Sequence, residues 1–275
     1  MIRVNDTYID VRRFPDNTQH LIFGTDKIAE PYVDITWIYE NDMELFTLIC
    51  ITKHIQEKCG DPIRLWMPYI PNARMDRVKN NDDVFTLKYF AEIINSLNFA
   101  EVRVLDPHSP VSEALIDRIV VNDPSKYINS VIYRIKEETS SPVIFFPDEG
   151  AKKRYSDNIK CPFAFGIKNR DWQTGKILGL DVIDPNHRIK GNNVLIIDDI
   201  CSKGGTFCHA AEELKKLGAK DIYLFVTHCE PTILKGEIFK SGLIKRVYTT
   251  NSLWPTYRSN IENIDKITTG KLCIL

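Results

Sequence analysis

Short apolar runs alternate with longer amphipathic stretches along the chain. TWIYE (36–40), IRLWMPY (63–69), EVRVLD (101–106), PVIFFPD (142–148), NVLIIDD (193–199), DIYLFVTH (221–228) and IKRVYTT (244–250) are rich in β-branched and aromatic residues, which predicts strands. Several are apolar at consecutive positions, the pattern of strands covered on both faces. Between them, VFTLKYFAEIINSLNF (84–99) spaces Leu87, Phe90, Ile94 and Leu97 close to a 3.6-residue period, which predicts a helix. TFCHAAEELKKLGAK (206–220) does the same and runs into Gly218, the expected C-terminal cap. Strand, helix and strand in repetition predict an α/β fold with mostly parallel sheets flanked by helices. The pattern occurs twice, once with a strand ending in LDPH and once with a strand ending in IIDD. Two tandem domains are therefore expected, residues 1–140 and 141–275, divided at SSPV (140–143).

Composition narrows the function classes. The 275 residues are 43% hydrophobic and 27% charged, with a formal net charge of −1. No global field draws in nucleic acid or an acidic membrane surface, so neither is expected as a partner, and any anion site must be local. No run approaches the roughly 20 apolar residues of a membrane span. MIRVNDTYIDVRRF at the start has no apolar signal-peptide segment, and a cytoplasmic location is expected. The seven cysteines follow no paired spacing. Cys201, Cys208 and Cys229 with His209 and His228 allow a zinc site, but no tight C-x-x-C pair accompanies them. The other reading is buried thiols in a reducing compartment.

The chemistry concentrates in VLIIDDICSKGGTF (194–207). In a parallel α/β sheet, ligands bind beyond the carboxyl ends of the strands, and Asp198 and Asp199 stand at such an end. Neighbouring strand residues point to opposite sides, so the two carboxylates reach different partners. Carboxylates accept hydrogen bonds from vicinal hydroxyls and can hold Mg²⁺. The turn Ser202-Lys203-Gly204-Gly205-Thr206 then enters a helix. Its glycines let backbone N–H groups close on an anion at the positive end of that helix. Diol-binding acids followed by a phosphate cradle describe a sugar phosphate site; the alternative is an ordinary turn with a solvated acidic tip. A Walker A pattern is absent. Residues 168–193 form a long, polar, weakly periodic segment, read as a functional or mobile loop.

The acid-acid-turn stretch resembles the PRPP-binding motif of phosphoribosyltransferase-fold proteins. Over nearly its whole length the chain resembles the ribose-phosphate pyrophosphokinase (PRPP synthetase) family. RFPDNTQHL is similar to the family's adenine-binding R-F-S-D-G-E loop, and MPYIPNARMDR to its P-Y-x-x-Y-A-R-Q-D-R segment. VLDPHS is similar to V-D-L-H-A, FFPDEGAKKR to S-P-D-x-G-G, and IKNRD to a K-x-R pair on a mobile loop. The resemblance implies two tandem phosphoribosyltransferase-type, Rossmann-like domains. It implies transfer of the β,γ-diphosphate of ATP to the anomeric hydroxyl of a ribose phosphate, with Mg²⁺ required and AMP released. It also implies a homo-oligomer, dimer or hexamer.

By the same resemblance, Phe14 and Asp16 would hold adenine, supplied to a neighbouring subunit. Arg74 and Asp76 would address ATP, and His108 and Asp148 would orient Mg²⁺ and the phosphates. Lys168 and Arg170 would close over the transferring group as catalytic cations. Asp198, Asp199 and Ser202 to Thr206 would hold the sugar phosphate. Each has a plainer reading as a surface ion pair, a structural histidine or a solvated charge. The chain departs from the family where D-T-G-G-T reads Ser202-Lys203-Gly204-Gly205-Thr206, where the A-R-Q-D glutamine is Met75, where the adenine-loop glutamate is Thr18, and where Trp254 is added to TNSLWP. These changes cluster on the acceptor side. They resemble compact viral-type relatives associated with NAD⁺ regeneration, whose acceptor is ADP-ribose; the location would then be the host cytoplasm. Trp254 would stack on the extra adenine and Lys203 would meet the extra phosphate. Ribose 5-phosphate is the other acceptor, a phosphoribosyltransferase or a non-catalytic regulatory relative the other functional class.

Overall fold

The computed structural model describes residues 1–5, 7–24, 32–170, 177–254 and 271–275. The chain divides into two compact units, Met1–Asp123 and Pro124–Leu275. This division lies ahead of the expected 140/141 by the helix Ser125–Glu138. That helix buries Ile128, Val131 and Ile135 in one core with Leu195, Ile197, Tyr223, Phe225 and Tyr248. Its apolar face therefore belongs to the second unit.

The first unit contains strands β1 (Ile2–Val4), β2 (Thr7–Tyr8), β3 (Asp10–Arg13), β4 (Gln19–Ile22) and β5 (Val33–Trp37), then helix α1 (Met43–Lys58). Strand β6 (Ile63–Trp66), α2 (Thr86–Ser96), β7 (Glu101–Leu105), α3 (Pro110–Leu115) and β8 (Ile119–Asn122) follow. Among the described residues they form a sheet in the order β2-β1-β5-β6-β7-β8. Strands β5 to β8 pair in parallel, while β1 is antiparallel to β5 and β2 to β1. The expected α2 buries Leu87, Phe90, Ala91 and Ile94, each large apolar side chain contributing about 1.5–3 kcal/mol over its exposed state. Strands β3 and β4 form a separate antiparallel hairpin.

The second unit opens with α4 (Ser125–Glu138), β9 (Val143–Phe146), α5 (Glu149–Tyr155), β10 (Phe163–Arg170) and β11 (Ile177–Ile183). It continues with β12 (Val194–Cys201), α6 (Gly205–Lys216), β13 (Ile222–Cys229), α7 (Ile238–Ser241), β14 (Arg246–Thr249) and β15 (Leu272–Ile274). The sheet order is β11-β10-β9-β12-β13-β14-β15, parallel throughout except for β11 against β10. Strand β13 is buried along its whole length, as its unbroken apolar run predicted. Helix α6 ends where Gly218 takes φ +87°, a conformation that glycine adopts without steric cost.

The polar stretch 168–193, expected as a loop, is different in its first half. Strands β10 and β11 pair from Phe165↔Ile183 to Arg170↔Ile177, with an irregularity at Asn169/Arg170. Backbone pairing at a sheet edge holds them, and an edge strand needs no long apolar run. The tip, residues 171–176, lies outside the described residues.

Candidate functional site: two carboxylate clusters and a glycine turn

In the second sheet the chain runs outward from β9 to β10 and β11 and then crosses back to β12 on the other side of β9. The strand order reverses between β9 and β12, the kind of point beyond whose carboxyl strand ends open α/β sheets bind ligands. Asp148 lies two residues beyond β9, and Asp198 and Asp199 lie near the carboxyl end of β12, which runs on to Cys201. The sequence-predicted acids therefore flank a topological switch point.

Asp148 caps α5, its carboxylate accepting from the Ala151 N–H at 2.9 Å. The same helix carries Arg154, whose Nη1 lies 3.0 Å from Asp199 Oδ2. Asp199 is 7% exposed, and its Oδ1 also accepts from the Ile200 N–H at 2.9 Å. Asp198 takes the Asp199 N–H at 3.0 Å. Burial, and then the negative charges of Asp199 and Asp148, push the Asp198 carboxyl well above the ordinary carboxylate value. A carboxylate in that state favours a proton, a cation or hydroxyl donors close by. The two adjacent acids thus sit in unequal surroundings. Asp199 is held by Arg154, a residue that sequence reasoning passed over inside FFPDEGAKKR, while Asp198 carries the unrelieved charge.

After β12 the chain turns through Ser202–Gly204 into α6. Gly204 is the N-cap, with φ +81°, and a Cβ there would overlap the Ile238 side chain. Two constraints therefore require glycine at this position. Lys203, Gly205 and Thr206 are exposed and Gly204 is buried, which leaves the start of α6 open to an anion. The Ser202 hydroxyl faces inward and donates to Glu230 Oε2 at 2.6 Å. It is thereby committed to protein, and Ser202 offers a ligand its backbone rather than its side chain.

In the first unit, Asp76 and His108 are brought together. Asp76 accepts from Arg77 Nε at 2.9 Å and Nη2 at 3.2 Å. The Arg77 hydrogen bonds hold its carboxyl below the usual range, helped by Ser109 and by the charge of His108. Arg77 is a second functional candidate that the motif comparison did not single out. Arg74 is exposed two residues away. Phe14 and Asp16 sit on the tip between β3 and β4. Phe14 is 51% exposed and stacks on His20 with ring centroids 5.2 Å apart. Asp16 accepts from the Thr18 hydroxyl at 2.7 Å and N–H at 3.0 Å, bonds that lower its pKa. Thr18, at the family's glutamate position, thus shapes the tip by bonding to Asp16.

One expectation is corrected, and one alternative falls. Trp254 is buried at 6% exposure, so its ring is packed as a core aromatic and does not present a face to an acceptor tail. The zinc alternative also falls away. His228 is buried with Nδ1 2.8 Å from Ser252 Oγ, and Cys201 and Cys229 are buried partners on β12 and β13. Among the described residues no group of three or more His, Cys, Asp or Glu is placed to hold a metal by itself. No described helix is long and apolar enough to cross a membrane. Lys168 and Arg170 lie on β10, opposite Leu180 and Ile177.

Comparison with known proteins bears on this geometry. The family described as "Phosphoribosyl transferase domain" matches residues 128–255. A ribose-phosphate pyrophosphokinase of Thermococcus kodakarensis is 28% identical over 245 residues, covering 87% of this chain and 81% of its own. That of Bacillus caldolyticus is 27% identical over 273 residues, covering 95% and 83%. Along most of its length the chain is similar to these ribose-phosphate pyrophosphokinases. Its fold is that of the phosphoribosylpyrophosphate synthetase from Mycobacterium smegmatis, with a TM-score of 0.74 at 19% identity over 98% of this chain and 85% of that one. The likeness spans both units, so the N-terminal unit with Asp76 and His108 is part of it as well as the phosphoribosyl transferase half.

Proposed function

We propose that this chain is a Mg²⁺-dependent pyrophosphokinase. It transfers the β,γ-diphosphate of ATP to the anomeric hydroxyl of ribose 5-phosphate and releases PRPP and AMP. The observation that carries this reading is the set of residues gathered at the second unit's topological switch point. There, Asp148 and the charge-burdened Asp198 stand beside a glycine turn that opens α6. Asp198 accepts from the ribose hydroxyls, which relieves its charge. The N–H groups of Lys203 to Thr206 take the 5′-phosphate, and Lys203 adds a cation to it. Named relatives that match across more than four-fifths of their length support the reaction class.

Transfer of a diphosphoryl group asks a protein chiefly for positioning and for neutralising charge. Asp148, with Asp198 and Asp199 at the same switch point, fits a Mg²⁺ whose other ligands are phosphate oxygens and water, the usual way this ion is held. When bound, Mg²⁺ would draw charge from the transferring group. His108, beside Asp76, is proposed to face the ATP phosphates, and Arg74 and Asp76 to position the nucleotide. Lys168 and Arg170 are proposed as the catalytic cations. The exposed Phe14 tip is proposed to hold adenine, with the chain acting as a homo-oligomer in which that hairpin serves a neighbouring copy.

Ribose 5-phosphate replaces ADP-ribose as the favoured acceptor. The stacking role of Trp254 lost its basis when the side chain was found buried, and the relatives carry ribose phosphate in their names. The test is mass spectrometry of products formed from ATP, Mg²⁺ and either sugar. AMP and a diphosphorylated ribose 5-phosphate are expected. AMP formed with ADP-ribose alone would reverse the choice of acceptor, and none with either sugar would end the proposal.

A further inference from the structure

The turn that is proposed to take the sugar phosphate is held from behind by a segment with no assigned part in the reaction. Cys201 at the end of β12 pairs with Cys229 at the end of β13, and the ladder extends one step further as the Glu230 N–H donates to the Cys201 carbonyl at 2.8 Å. This fixes the Glu230 side chain beside the first residue of the turn. Its Oε2 accepts from Ser202 Oγ at 2.6 Å and from Thr232 Oγ1 at 3.1 Å, and those two hydroxyls are 3.2 Å apart. The chain then makes a 3-10 turn, Pro231–Lys235, and returns against the glycine loop. A Cβ on Gly236 would overlap the Lys203 carbonyl oxygen, and one on Gly204 would overlap Ile238. The backbone of 202–204 is therefore clamped between β12 and the segment 230–238.

We propose that Glu230 is the positioning residue of this turn, an assignment that rests on the proposed sugar phosphate site. Hydrogen bonds to an ionised acceptor are shorter and roughly twice as strong as neutral ones. With both hydroxyl protons drawn to one carboxylate oxygen, the Ser202 side chain is turned away from the ligand. The N–H groups that follow it are left facing outward, before any phosphate arrives. The turn carries a serine at 202 where the resembling family has an acid, and here the carboxylate reaches the same place from the next strand. Glu230 acts on the sugar phosphate through the turn and touches no reacting atom.

The proposal separates acceptor from nucleotide. Glu230→Gln keeps the shape and removes the charge. It is expected to raise KM for the sugar phosphate about tenfold or more, the scale of losing one charge-assisted hydrogen bond, with KM for ATP within about twofold. Adding Ser202→Asp to Glu230→Gln returns a carboxylate to the pair with donor and acceptor exchanged, and KM is expected to recover to within about threefold of wild type. Equal changes in both KM values, no change in either, or a double variant no better than the single one would overturn it. Thr232→Val, which removes one donor and keeps the carboxylate, is expected to give a smaller rise and serves if Glu230→Gln does not fold. Amide hydrogen exchange gives a readout independent of turnover. Residues 203–207 of the Glu230→Gln protein should exchange at least about tenfold faster while α2 is unchanged. Unaltered exchange refutes the positioning role even if wild type proves inactive, whereas fast exchange in an inactive enzyme refutes only the reaction.

Discussion

Arg154 Nη1 lies 3.0 Å from Asp199 Oδ2, and the Asp199 side chain is only 9% exposed. This ion pair engages one of two adjacent carboxylates, and its neighbour Asp198 is the one whose pKa is raised. Arg154→Gln strands a buried charge next to Asp198. Breaking such a pair costs about 3 kcal/mol, the lower end for buried pairs because the arginine is partly exposed. A fall in Tm of roughly 10 °C is expected by calorimetry, and a change of a degree or two would mean that the pair is incidental.

Asp198 links stability to pH in the direction opposite to a salt-bridged acid. Its folded pKa is raised by burial and by Asp199 and Asp148, so the folded chain holds this proton more tightly than the unfolded one. Stability is then lost as pH rises from the ordinary value of 3.8 through the raised folded pKa. Asp198→Asn removes that loss. The variant is expected to melt above wild type at pH 7, with the gap closing toward pH 4, and to fail in sugar phosphate turnover. A Tm difference independent of pH would contradict the assignment of the unrelieved charge to Asp198.

Two glycines in one region should behave differently. Gly236→Ala places a methyl group on the Lys203 carbonyl, and overpacking of this kind costs about 1–3 kcal/mol. Gly205→Ala meets nothing within 4 Å and should leave stability within about 0.5 kcal/mol. Its methyl group, however, projects from the exposed mouth of α6, so KM for the sugar phosphate should rise several-fold. Melting curves and acceptor kinetics on both variants check the pair, and the reverse order of stabilities would contradict the clamp.

Lys168→Ala and Arg170→Ala are each expected to lower turnover roughly 10²-fold, the scale of removing one transition-state charge contact. Both lie on an edge hairpin, so Tm should stay within a degree or two. Steady-state AMP release measures the effect. Near wild-type rates in both variants would remove these cations from catalysis.

Much of this arrangement was legible in residue order. Six of the seven apolar runs contain most or all of a strand and TWIYE only overlaps the end of β5, while the two expected helices lie at α2 and α6. VLIIDDICSKGGTF announced acids near a strand end, two residues short of it in the structure, and a helix opening on a glycine turn. The edge strands β2, β8, β11 and β15 and their neighbours β1 and β10 were missed, since strands at and next to an edge are held by backbone pairing rather than by composition. Helix α4 was assigned to the wrong side of the boundary, because the core that buries an amphipathic face is not written in the face itself.

Sequence alone determined the α/β class, the two repeated sheets, the acid pair and the glycines of the turn, all of which depend on local pattern. Tertiary structure alone decided that Arg154 takes Asp199, that Asp76 comes near His108, that Glu230 holds Ser202, and that Trp254 is core. Those outcomes depend on which side chains meet across strands and helices far apart in the chain. The energies of such meetings come from distance and burial, and neither is a property of any residue taken by itself.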